Sequence, residues 1–198
     1  MKRIILLAGF MVAFSFSLQA QTPNKEEMMK SWGKYMAPGE MHKMLSSTDG
    51  VWTEDITMWM DPSAPPTKSK AKATNRMIMG GRYQESKHVG TFDGKKFEGF
   101  GTLGYDNAKK VFQSTWIDNM GTGTMFMEGT WDAATKTVNF KGKCVDPSSG
   151  QEMDVREVYT MMDNNNHKMT MYMTMPGQSE MKTMEILLKR VGNQPVKK

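Results

Sequence analysis

The amino-acid sequence predicts an all-β protein, an up-and-down antiparallel β-barrel of about ten strands with a short N-terminal helical segment. Three features point there. From Val51 to about Arg190, apolar and polar residues alternate with period two. Turn-forming clusters of Asp, Asn, Gly, Pro and Ser cut that stretch into runs of about eight to twelve residues. No helix-period segment interrupts the runs, which excludes a parallel sheet with its crossover helices.

The first segment reads as an address rather than as structure. Lys2 and Arg3 precede an apolar run, Ile4 to Phe16, that is short for a bilayer span, and "SLQA" ending at Ala20 offers a cleavage site. Residues 1–20 are therefore expected to be a signal peptide, with export to the periplasm or beyond. An uncleaved anchor helix is the alternative, although no second apolar run follows. No cysteine follows the cut, which argues against a lipoprotein anchor.

Residues 21–47 read as helical. Asn24 and Glu27 have capping-box spacing, Met28, Trp32 and Met36 recur on one face, and Pro38–Gly39 ends the helix. A second short turn, "EMHKML", places Met41 and Leu45 together. Isolated helices of this length are marginal in water, so the Met28/Trp32/Met36 face is expected to pack on the barrel. The whole segment is expected to cap one mouth, with His42 at its border.

Residues 48–191 form the predicted barrel domain, and 192–198 a basic tail. The strands are separated by "DPSAPP" (61–66), "MGGR" (79–82), "FDGKKF" (92–97), "YDNAKK" (105–110), "DNMGTG" (118–123), "DAATKT" (132–137), "DPSSGQ" (146–151), "DNNNH" (163–167) and "PGQSE" (176–180). Inward faces follow from the alternation: Trp52, Ile56, Met58 and Met60; Ala71, Ala73, Met77 and Met79; Met125, Met127 and Trp131; Met184, Ile186 and Leu188. Lys70, Lys72 and Arg76, then Lys141 and Lys143, then Lys182, Glu185 and Lys189 hold the opposite faces. An outer-membrane barrel would need an apolar outward band with aromatic girdles, and these charged faces argue for a barrel with its apolar side inward.

Composition narrows the partners. The chain carries 26 Lys and Arg against 21 Asp and Glu, a net charge of +5. The basic residues are scattered, without the aromatic-interleaved stripe of a nucleic-acid binder, so no nucleic-acid partner is expected. Cys144 is the single cysteine, which excludes an internal disulfide. It falls in phase with Val138 and Phe140 and reads as a buried, inert thiol.

Methionine is the anomaly, with 23 in the chain. In "HKMTMYMTMP", residues 167–176, Met169, Met171, Met173 and Met175 share one strand face. Alternate residues on a strand lie about 6.6 Å apart, so four in a line cannot converge on one metal ion. A soft-metal site would need thioethers from neighbouring strands, and His42, His88 and His167 show no ligand spacing. No metal and no cofactor are expected. An oxidation sink should be exposed, whereas these residues hold the buried phase. Two readings stay open: Met as plain core filler, or Met as the wall of an adaptable apolar pocket. The candidate lining is Trp52, Met58, Asn75, Met77, Trp116, Met125, Met127, Met169, Met171 and Met173.

Polar residues interrupt the inward phase. Glu54 alternates with Trp52 and Ile56, Glu157 with Val155 and Tyr159, and Asn75 with Ala73 and Met77. An inward carboxylate must pair, protonate or meet a ligand, and pairing with Arg76 or Arg156 across a bulge is the expected outcome. Glu54, Glu157 and His42 are the catalytic candidates, although His42 reads more simply as a hydrogen-bonded structural residue. No G-x-S-x-G, H-E-x-x-H, CxxC or Walker sequence is present.

"PGEMHKMLSSTDGVW" at 38–52, "MGGRYQ" at 79–84, "GYDNAKKVFQSTWIDNMGT" at 104–122 and "GTWD" at 129–132, in that order, resemble the DUF1579 family of uncharacterised bacterial proteins, from about Pro38 to Arg190. The resemblance implies a lipocalin-like or calycin-like barrel and no particular mechanism. It implies a marked His ahead of Gly-x-Trp, here His42 before Gly50 and Trp52, and hairpin residues Tyr105, Asp106, Trp116 and Asp118. The methionine excess departs from the family's usual Leu, Val and Phe. Three functions are carried forward: binding of a small apolar or amphipathic molecule; an enzyme (lyase, isomerase or hydrolase) using an inward carboxylate; and an envelope structural protein with a filled barrel.

Overall fold

A computed structural model describes residues 24–61 and 63–192. The expected signal peptide and the end of the basic tail lie outside them. Two helices, α1 (Lys25–Met36) and α2 (Glu40–Ser47), precede ten strands: β1 (Gly50–Met58), β2 (Thr67–Ile78), β3 (Tyr83–Phe92), β4 (Lys95–Asp106), β5 (Val111–Asp118), β6 (Met125–Asp132), β7 (Thr137–Val145), β8 (Glu152–Met161), β9 (Asn166–Thr174) and β10 (Met181–Arg190). Each strand pairs antiparallel with its neighbours in sequence, and β10 returns to β1 to close the barrel. Closure leaves no free sheet edge.

The turns explain the regular punctuation. Asp61, Asp106, Asp118, Asp132, Asp146 and Asp163 each accept the backbone N–H two residues ahead. This Asx geometry lets a side chain stand in for the backbone as the strand reverses. Between β3 and β4 the two-residue turn Asp93–Gly94 has φ of 49° and 72°, the left-handed pair that a tight hairpin demands and that Asp-Gly supplies readily.

Bulky inward residues fill the barrel from the helix end to its middle. Leu45 of α2 packs with Phe112, Met127, Val138, Phe140, Val155 and Met171, and Trp52, Ala73 and Leu188 form an adjoining cluster. Full burial of such side chains contributes about 1.5–3 kcal/mol each. Polar groups seal the junction. Gln84 Nε2 donates to the Leu45 carbonyl at 2.8 Å and to Asp49 Oδ1 at 2.7 Å. Arg190 donates to the carbonyls of Ser47, Asp49 and Asn164, with its guanidinium 4.3 Å from the Trp52 ring centre.

α1 departs from expectation. Its Met28, Trp32 and Met36 stay 48, 56 and 53% exposed and the helix buries no residue, while its last turn, Tyr35 and Met36, borders the barrel beside Tyr83 and Tyr105. Asn107 holds its C-terminal end by donating to the Tyr35 and Ala37 carbonyls at 3.0 and 2.8 Å. Asn24 caps its start, accepting from Glu27 N–H at 2.9 Å. Local capping, not burial, supports this helix. Both helices meet the barrel at one end, by the β4–β5 turn and the start of β1. Among the described residues, no helix covers the other end.

Candidate functional site

The helix end is closed. Trp52 is fully buried, and its Nε1 donates to the Thr48 carbonyl at 3.0 Å. Asn75 donates to that same carbonyl at 3.4 Å, and Met77 packs on the core cluster. Asn75 is thus part of the seal. His42 is buried in α2: its Nδ1 accepts the Gly39 N–H at 3.0 Å, and a backbone hydrogen bond to Tyr105 engages it further. Burial, then the nearby Arg82 charge, hold its pKa below the usual histidine value. These bonds make His42 the capping residue of α2.

Farther in, the structure corrects the expected partners of the inward carboxylates. Arg76 pairs outward with Glu85, and Arg156 pairs outward with Glu180. Glu54, 2% exposed, instead receives His88, whose Nδ1 lies 3.1 Å from both carboxylate oxygens. The His88 ring meets Trp116 edge-on at 4.9 Å, and Trp116 Nε1 donates to Asp118 Oδ2 at 2.8 Å. Small residues make room for this chain. A Cβ on Gly99 would lie 2.5 Å from the Trp116 indole, so the absence of a side chain there seats the ring.

Glu157 has no such partner. Its strand neighbours across the sheet are Phe140 and Met171. Burial alone acts on its carboxyl, raising its pKa to about 7, and neither a hydrogen bond nor an opposite charge contributes. Yet the residue keeps accessible surface. Two positions along β8, the Tyr159 hydroxyl bonds His167 Nδ1 at 2.7 Å, and His167 stacks on Trp52 with ring centres 4.4 Å apart. Burial, aided by Arg190, lowers His167 to about 4, so it is neutral near pH 7 and its Nδ1 accepts the Tyr159 proton.

Of the remaining candidates, Met58, Trp116, Met125 and Met173 stand toward the strand ends away from the helices, Met169 packs against the Trp52 cluster, and Met127 and Met171 belong to the core cluster. Met58, Trp116, Met125, Met169 and Met173 are partly accessible, while Met127 and Met171 are buried at 3 and 8%. Sequence reasoning did not find His88, because the inward Gln84, Ser86 and His88 of β3 are as polar as its outward face. The available signal was indirect: inward Ala71, Ala73, Gly99 and Gly101 on β2 and β4 leave room for two large rings.

The family model for proteins of unknown function, DUF1579, matches residues 37–190. The chain belongs to this family. A comparison with curated proteins finds no match. Among solved structures the chain is similar to the crystal structure of Rv2717c from M. tuberculosis, with 14% identity, 79% of this chain and 100% of that one covered, and a TM-score of 0.57. That likeness concerns the fold alone. A redesigned β-barrel aligns over 75% of this chain and 95% of its own, with 16% identity and a TM-score of 0.39. The match to DUF1579 spans α2 and every strand of the barrel, and leaves out α1.

Proposed function

We propose that this is an exported protein that binds a small apolar or amphipathic molecule in the uncovered half of its barrel. The observation that carries the reading is Glu157: an inward carboxyl with no hydrogen bond or opposite charge acting on it, flanked across the sheet by Phe140 and Met171. A flexible thioether wall adapts to an irregular guest, and the carboxyl anchors its polar end by donating or accepting a hydrogen bond. Export rests on the leader-like residues 1–20.

The test is native mass spectrometry of the purified protein after incubation with extracted lipids, alongside titration with an environment-sensitive apolar dye. We expect retained small-molecule mass and dye emission that the retained molecule suppresses. No retained mass together with a silent dye overturns the proposal.

Glu54 and His88 favour a second reading, an enzyme. A buried carboxylate that holds one imidazole nitrogen orients the other for proton transfer. Turnover of ester or carbonyl substrates that is lost in His88→Gln would support it; absence of turnover across such a screen removes it.

A further inference from the structure

Convergent thioethers on adjacent strands are what a soft-metal site requires, and the strand register supplies them. Met171 on β9 lies directly opposite Met184 on β10, and Met184 lies directly opposite Met58 on β1. All three fall on the inward face, in phase with Met169, Ile186 and Glu54. Side chains directly opposite across strands start about 4.5–5.5 Å apart, which puts Met184 next to each of the others, and Met58 and Met171, about 10 Å apart, can reach toward it with their flexible thioether arms. The row continues to Glu157 on β8, directly opposite Met171. Three sulfurs and a carboxylate thus stand side by side on four adjacent strands.

We propose that Met58, Met184 and Met171 form a three-thioether site for a soft monovalent cation of the Cu(I) class, with Glu157 supplying the balancing negative charge. Thioethers select Cu(I) and bind hard divalent cations poorly. Among the described residues, no three His, Cys, Asp or Glu side chains gather to offer a competing hard site. An ion of single positive charge inside an apolar wall is costly unless an anion faces it, and the carboxyl at the end of the row is otherwise unpartnered. Further sulfurs border the row: Met173 opposite Met181, and Met153 opposite Cys144. The site shares Met171 and Glu157 with the wall proposed for the apolar guest, and the two are told apart by sulfur, which leucine removes while keeping an apolar side chain.

The experiment is an anaerobic Cu(I) titration of the purified protein against a chromogenic Cu(I) chelator, repeated with Ag(I) as a redox-inert probe. Wild type should hold one ion per chain. The triple variant M58L/M184L/M171L should lose about tenfold or more in affinity while remaining folded, read as a single cooperative thermal transition. Cys144→Ser should bind as wild type does. Should the triple variant fail to fold, the ε-methyl resonances of the wild-type protein decide: Ag(I) should shift Met58, Met171 and Met184 and leave Met28 and Met29 in place. Surrender of all Cu(I) to the chelator, unchanged affinity in the triple variant, loss on Cys144→Ser alone, or shifts confined to other methionines would each overturn the site.

Discussion

His88 Nδ1 sits 3.1 Å from both carboxylate oxygens of Glu54, and the carboxylate is 2% exposed. The pair stands inside the wall, where an arginine partner was expected. His88→Ala leaves the buried Glu54 carboxyl without its hydrogen-bond partner, so it should cost about 1–3 kcal/mol of stability. The double variant Glu54→Gln/His88→Ala should cost less than the sum of the singles, by about 0.5–3 kcal/mol. Denaturant unfolding of the four proteins measures this; strict additivity contradicts the contact.

Glu157 and His167 give stability opposite pH slopes. The Glu157 carboxyl is raised from 4.5 to about 7, so the folded state holds more protons than the unfolded one between those values, and stability falls as pH rises through that window. His167 is lowered from 6.5 to about 4, so its contribution is present above 6.5 and is lost as pH falls toward 4. Glu157→Gln removes the first slope. The variant should gain on wild type between pH 5 and pH 8, by at most about 3 kcal/mol, since each pKa unit is about 1.4 kcal/mol. A gap between the melting curves that does not change with pH contradicts this.

Trp116 depends on Gly99. A Cβ placed 2.5 Å from the indole forces the ring to move. Gly99→Ala should cost about 1–3 kcal/mol, and Trp116→Phe should recover part of that loss by shrinking the ring. Thermal unfolding checks it; equal losses in both backgrounds would mean that the ring does not rest there.

α1 and α2 should separate cleanly. Trp32 is 56% exposed and Leu45 is 2% exposed. Trp32→Ala should change stability by less than about 0.5 kcal/mol, and Leu45→Ala should cost about 2–5 kcal/mol. Deleting residues 21–36 should leave the barrel's unfolding midpoint unchanged.

The barrel was legible because a half-buried strand writes its register as alternation, and because each reversal needs an Asp, Asn or Gly whose chemistry is local. The β1–β10 closure follows from that same pattern carried round the full circle. α1 was misread for an energetic reason. Its Met28, Trp32 and Met36 stripe announces a partner, but a stripe does not say where the partner lies. The inward carboxylates were visible as breaks in phase. Their partners were not, since Glu54 meets His88 across β2, two strands away, and only the three-dimensional register brings them together. The methionine row was hidden likewise: Met58, Met171 and Met184 are distant in sequence and adjacent only through strand pairing.

Selective ¹³C labelling of methionine methyl groups gives the decisive measurement, read by NMR while the apolar guest or dye is added. Binding in the uncovered half of the barrel predicts shifts at Met58, Met125 and Met173, with Met28, Met29, Met60 and Met79, all exposed on the surface or in turns, unmoved. Shifts confined to those exposed methionines, with the interior set unchanged at saturation, would contradict a guest in the barrel.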